Sequence, residues 1–195
     1  AASDVYKRQA SNNNDVITNP VNTTLSSTST LMDDGGFSAV TVNNYGVLDG
    51  LTADRSLIYS SGSSSSVNNY GTIQSSQYLI AGTRSLGDYA TLTNAISGTI
   101  ALSGDTSAGL RADGSHSSLI NRGTINLSGI LASGLHSLGY SNTLDNYGTI
   151  TLTGDTSSGM TSYNYNNVSG AGDNATLTNY GTISLSGNIS AGLVS

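Results

Sequence analysis

Six times in 195 residues the chain returns to an Asn-x-Gly-x-aliphatic core. The copies are Asn44-Tyr45-Gly46-Val47-Leu48, Asn69-Tyr70-Gly71-Thr72-Ile73, Asn121-Arg122-Gly123-Thr124-Ile125, Asn146-Tyr147-Gly148-Thr149-Ile150 and Asn179-Tyr180-Gly181-Thr182-Ile183, with one over 94–100 that carries two extra residues. Glycines 46, 71, 98, 123, 148 and 181 are separated by 25, 27, 25, 25 and 33 residues. A near-fixed period of this length marks stacked units that cannot bury an apolar face alone, and it predicts a solenoid of about six coils.

Within one copy, Leu144, Asn146, Ile150 and Leu152 share a parity, so extended backbone points them to one face and Asp145, Tyr147, Thr149 and Thr151 to the other. Laid in register, the copies give an inward aliphatic column Val42, Val67, Leu92, Leu119, Leu144, Leu177 and a second, Leu48, Ile73, Ile100, Ile125, Ile150, Ile183. A third column runs Gly50, Ser75, Leu102, Leu127, Leu152, Leu185, which predicts tighter packing toward the C-terminal end. A fourth runs Ile58, Leu110, Leu135, Met160, Leu193, with Ile80 displaced in the second copy. Three inward stretches per turn therefore enclose one core.

Asn stands at the same inward place in every copy, and a buried amide costs free energy unless it is paired. Stacked at the ~4.8 Å spacing of hydrogen-bonded strands, Asn44, Asn69, Asn94, Asn121, Asn146 and Asn179 can bond one to the next as a structural ladder. The glycine two residues later sits where a Cβ would obstruct the corner.

Composition supports strands. All twelve acidic residues are Asp and only six are basic, so the usual helix-surface residues are scarce, while Ser, Thr, Asn, Gly and Tyr favour strands and turns. The expected class is all-β, a parallel β-helix. A net charge of −6 without a basic track speaks against a nucleic-acid partner. The absence of Cys leaves neither a disulfide framework nor a thiolate metal site, and it suits an export route.

Along the chain, residues 1–10 read as a non-native, adapter-derived tail and are set aside. Residues 11–38, rich in Asn, Ser and Thr, are either a low-complexity lead-in or an N-terminal coil; 39–195 are the β-helix repeats, ending inside a coil as a fragment of a longer protein would. Ser63 to Ser66 suggest a flexible connector. The longest excursion follows Met160, and insertions in solenoids gather on one face, often the binding face. Tyr163, Asn164, Tyr165, Asn166 and Asn167 are therefore the candidate ligand-binding residues.

Chemistry is sparse. Asp105 and Asp155 occupy equivalent turns but lie two coils apart, roughly 9–10 Å, too far for one Ca²⁺. They suit turn capping better, and no metal or cofactor is expected. His116 and His136 fall at different offsets, so they need not meet. The outward places are mostly Ser, Thr, Asn and Ala, which does not suit the clustered carboxylates of a polysaccharide-cleaving groove. The outward row Thr72, Thr99, Thr124, Thr149, Thr182 is regular, but its neighbour Gln74, Ala101, Asn126, Thr151, Ser184 is too mixed to match an ice lattice.

The Asn-Tyr-Gly-Thr-Ile coils and the Leu102-Ser103-Gly104-Asp105-Thr106-Ser107 type of turn resemble the passenger domains of Gram-negative autotransporters, from about Val40 to Ser195. That resemblance implies a right-handed parallel β-helix, carried through the outer membrane by a C-terminal barrel of the same polypeptide that is absent here, and displayed on the cell surface. It also implies a non-enzymatic adhesin or self-association stalk, with other cells, further copies or surface glycans as partners. The alternative is a carbohydrate-binding or carbohydrate-acting β-helix whose catalytic part lies outside this chain.

Overall fold

A computed structural model describes residues 8–54, 56–163 and 174–195. Every strand pairing in it is parallel, in three sheets of eight, seven and seven strands, and no helix occurs among the described residues. One turn contributes one strand to each sheet. In the coil around Asn121 these are Ser118–Asn121, Thr124–Leu127 and Ser133–Ser137. The architecture is thus a parallel β-solenoid, the fold that the period and the parity of the copies require.

The two columns without exception stack as expected. Leu92, Leu119 and Leu144 pair in register, as do Ile100, Ile125 and Ile150, and all six are fully buried. The expected gradient of packing is not found. Where Gly50 leaves space in the third column, Leu57 fills it from the adjacent sheet, and a Cβ at Gly50 would stand only 3.0 Å from Leu57 Cδ1. In later coils the third column is filled by Leu102, Leu127 and Leu152, while Gly82, Gly109 and Gly134 stand in register with Leu57. The final coil is the looser one: Leu177, Ile183 and Leu185 are only partly buried, because the last rung has a neighbour on one side only.

Three other expectations need correction. Thr83, not Ile80, stands in the fourth column between Ile58 and Leu110, its Oγ1 buried without a partner. Ser63 to Ser66 do not form a loose connector: Ser65 is buried, its hydroxyl donating to Asp34, and the Ser64 amide donates to the Asp88 carbonyl. Part of the stretch set aside as a tail is built in, since Arg8–Gln9 pairs with Met32–Asp33 and Ala10 is buried. Parallel pairing uses backbone groups, so residue identity did not reveal that last strand.

Of the two readings left open for 11–38, the structure has the coil. Val16–Asn19 pairs with Thr41–Asn44, and Thr24–Ser27 with Val47–Gly50. Its corner lacks the signature glycine because Asn19-Pro20-Val21-Asn22-Thr23 turns through Asn22, at φ 62°. Asp34 pins this rung to the next. Its buried carboxylate accepts from the amides of Gly36, Ser61 and Gly62 and from the hydroxyls of Ser60 and Ser65, at 2.6–3.2 Å.

Candidate functional site

The Asn column is a continuous hydrogen-bonded ladder. Each Nδ2 donates to the Oδ1 of the next coil, from Asn19 through Asn44, Asn69, Asn94, Asn121 and Asn146 to Asn179, at 2.7–2.9 Å. Asn19 is a seventh member that the missing glycine concealed. The glycines of this corner answer to stacking and not to backbone handedness: a Cβ on Gly148 would lie 2.1 Å from the Gly123 carbonyl of the preceding coil. Left-handed φ is instead carried at the other corners by ordinary residues, among them Leu79, Thr106, Leu131 and Ile189, whose amides or neighbours bond to the adjacent rung.

That scaffold holds the outward side chains in registered rows. On the second sheet Thr72, Thr99, Thr124, Thr149 and Thr182 are aligned, and beside them Asp49, Gln74, Ala101, Asn126, Thr151 and Ser184. Asp49, Gln74, Ala101, Asn126 and Thr151 of the latter row line a shallow groove of about 510 Å³ together with Ser76, Ser103, Ser128 and Thr153. Asp49 is its one charged residue; Gln74, Asn126, Thr151 and the serines bring amide and hydroxyl groups at strand spacing, able to donate and accept, over a groove surface that is more apolar than polar and includes Ala101, Leu102 and Leu127.

A second groove, about 310 Å³, lies on the third sheet, with small residues Ser56, Ala81, Ala108 and Ser133 among its lining. Arg84, Arg111 and His136 follow one another in register along one wall. Asp113 pairs with both arginines: Arg84 Nε donates to it at 2.9 Å and Arg111 Nε at 2.7 Å. Burial, followed by the Arg111 charge, pushes His136 down to about 4, while Asp113 pulls the other way, so the ring is neutral at physiological pH. The arginines went unnoticed in the sequence although Arg84 and Arg111 are 27 residues apart in matching Ala-Gly-x-Arg segments, because the aliphatic column was traced through Ile80 and not through Thr83.

The residues singled out from sequence fare unequally. Tyr163 is half-exposed, its ring 6.2 Å from that of His136 in an edge contact. Asn164, Tyr165, Asn166 and Asn167 lie outside the described residues. Asp105 accepts the Ile130 amide and Asp155 the Asn188 amide, each capping the turn of the following coil. His116 does not approach His136; it stacks on Tyr89 at 4.9 Å and meets Tyr140 edge-on at 5.0 Å.

No curated protein and no solved structure matches the chain. The family model of the BigA third pectate lyase-like domain matches residues 5–195, nearly the whole chain. With its parallel solenoid, its three sheets and this match, the chain belongs to the family of BigA third pectate lyase-like domains.

Proposed function

We propose that this domain is a non-enzymatic, surface-displayed adhesive stalk, exported by the autotransporter route and anchored through an outer-membrane barrel elsewhere in the same polypeptide. The observation that carries the reading is the registered polar face of the second sheet, where Gln74, Asn126 and Thr151 stand in one row beside an uninterrupted row of Thr. Each bond such a face makes is weak against water, but a rigid row presents many at once, so affinity grows by multivalency. Its partners are the hydroxyls of surface glycans or the matching rows of another copy. BigA is an autotransporter-like adhesin, which agrees with this reading.

Binding suits the described residues better than catalysis because several of their acids are engaged in structure. Asp34 and Asp113 are tied to several donors each, and Asp105 and Asp155 cap turns.

The test displays the domain on cells that do not normally aggregate and follows settling and binding to a glycan array. Displaying cells should settle or bind above bare cells, and Gln74→Ala with Asn126→Ala and Thr151→Ala should reduce the effect. A deletion of residues 163–170 asks whether the excursion contributes. If the intact domain does not exceed bare cells in either assay, the adhesive reading fails.

A further inference from the structure

The groove on the third sheet is unlike on its two sides. Its floor is the registered row Ser56, Ala81, Ala108 and Ser133, all small, so the walls stand above it over three strand spacings, about 14–15 Å. One wall is a corner column, Asp54, Leu79, Thr106 and Leu131, each in left-handed φ with its amide donating to the next rung. Leu79 and Leu131 are half-exposed, one rung to either side of Thr106. The facing wall is the row Arg84, Arg111, His136.

The arginine wall has charge and donors to spare. Both guanidinium groups turn their Nε edge to the carboxylate of Asp113, and among the described residues no acceptor meets Nη1 of either. Two cations share one anion and the neutral His136 adds nothing, so the wall keeps a surplus positive charge in a chain whose net charge is −6. Asp54 is the other charged residue among the described ones that line the groove. It stands two rungs from Thr106, about 9–10 Å along the axis, which keeps a second acid away from that end and leaves the middle to Arg111. Asp105 caps the Ile130 amide and lies outside the groove.

We propose that this groove binds a short extended polypeptide segment of the pattern aliphatic-acidic-aliphatic. Extended backbone sends alternate side chains to opposite sides and sets residues i and i+2 about 6.6–6.8 Å apart. The acid then points to Arg84 and Arg111 and takes up their unspent donors. Its two aliphatic neighbours point the other way, onto Leu79 and Leu131, which stand about 9–10 Å apart across Thr106. The small floor admits the backbone between them, and about four extended residues span its length. A uronate sugar could meet the arginines, but its ring carries no pair of aliphatic arms for the opposite wall. The groove lies on a different sheet from the polar face, so the inference neither requires nor supports the adhesive reading above.

The experiment titrates the whole domain with the capped tripeptide acetyl-Leu-Asp-Leu-amide and follows the Leu79, Thr106, Arg111 and Leu131 amides by NMR. Saturable shifts with half-saturation in roughly the millimolar range are expected for a ligand of this size. Acetyl-Leu-Asn-Leu-amide and acetyl-Ser-Asp-Ser-amide, which lack the charge and the aliphatic arms, should each bind about tenfold more weakly. Arg111→Gln should also weaken binding of the first peptide about tenfold. Asp113→Asn releases both guanidinium groups and should tighten it about fivefold, a gain that a damaged fold does not produce. The assignment is overturned by no saturation, by equal binding of the Asp and Asn peptides, or by no gain with Asp113→Asn. Tighter saturation of the same amides by a galacturonate trimer than by the peptide would overturn it as well.

Discussion

Asn121→Ala tests whether the amide ladder carries the stability of the rod. In the intact chain Asn121 Oδ1 accepts from Asn94 at 2.9 Å, and its Nδ2 donates to Asn146 at 2.8 Å and to the Thr149 carbonyl at 3.3 Å. After truncation Asn94 Nδ2 still reaches the Gly98 and Thr124 carbonyls, both at 3.2 Å, but Asn146 Oδ1 loses its donor in a fully buried position. A stranded buried acceptor costs about 1–3 kcal/mol and the lost packing about 1 kcal/mol more, so a fall of about 2–4 kcal/mol is expected. Two comparisons sharpen this. Asn179→Ala removes the exposed last member, and Asn146 Nδ2 then keeps the Thr182 and Gly148 carbonyls, so the loss should be about 1 kcal/mol. Thr124→Ala on the outward face should stay within about 0.5 kcal/mol. Denaturant unfolding of the three variants reads the order directly. Equal losses at Asn121 and Thr124, or a larger one at Asn179 than at Asn121, would refute the view that the ladder is a buried load-sharing element.

Gly148→Ala should unfold the neighbouring coils, since its Cβ would meet a backbone carbonyl at 2.1 Å, whereas Gly192→Ala, with nothing within 4 Å, should stay within about 1 kcal/mol; thermal melts of the pair check this. Asp34→Ala strands three amides and two hydroxyls between the first two rungs, and a loss of about 3 kcal/mol or more should appear as early deuterium exchange at Ser61 and Gly62. His136 is neutral when folded and protonates near 6.5 when unfolded, so stability should be full above about pH 6.5 and should fall as pH drops toward 4, by up to about 3 kcal/mol. His136→Gln should flatten that slope in pH-dependent unfolding.

Where one physical rule acted alone, the sequence was sufficient. The inward columns and the Asn ladder were legible because parity and period are both functions of position, and register in a solenoid follows from them. The N-terminal coil was left as one of two readings because Pro20 and a left-handed Asn22 solve its corner differently from the six glycine copies. The exchange between Gly50 and Leu57 was hidden because it couples two sheets across the core, and a column read by itself shows only a gap. The grooves were illegible for a related reason. Arg84, Arg111 and Asp113 converge only once the third-sheet register is known.

All six bonds of the Asn ladder run the same way, donor before acceptor from Asn19 to Asn179. Aligned amide dipoles polarise one another, so the column behaves as a single vector down the axis and its two termini are chemically unlike. At the first, Asn19 Oδ1 is buried without a partner; at the last, Asn179 Nδ2 turns back to the Gly181 carbonyl at 3.2 Å. One terminus is an acceptor and the other a donor, so any further rung is admitted in one orientation only, and two such columns can meet head to tail but not head to head.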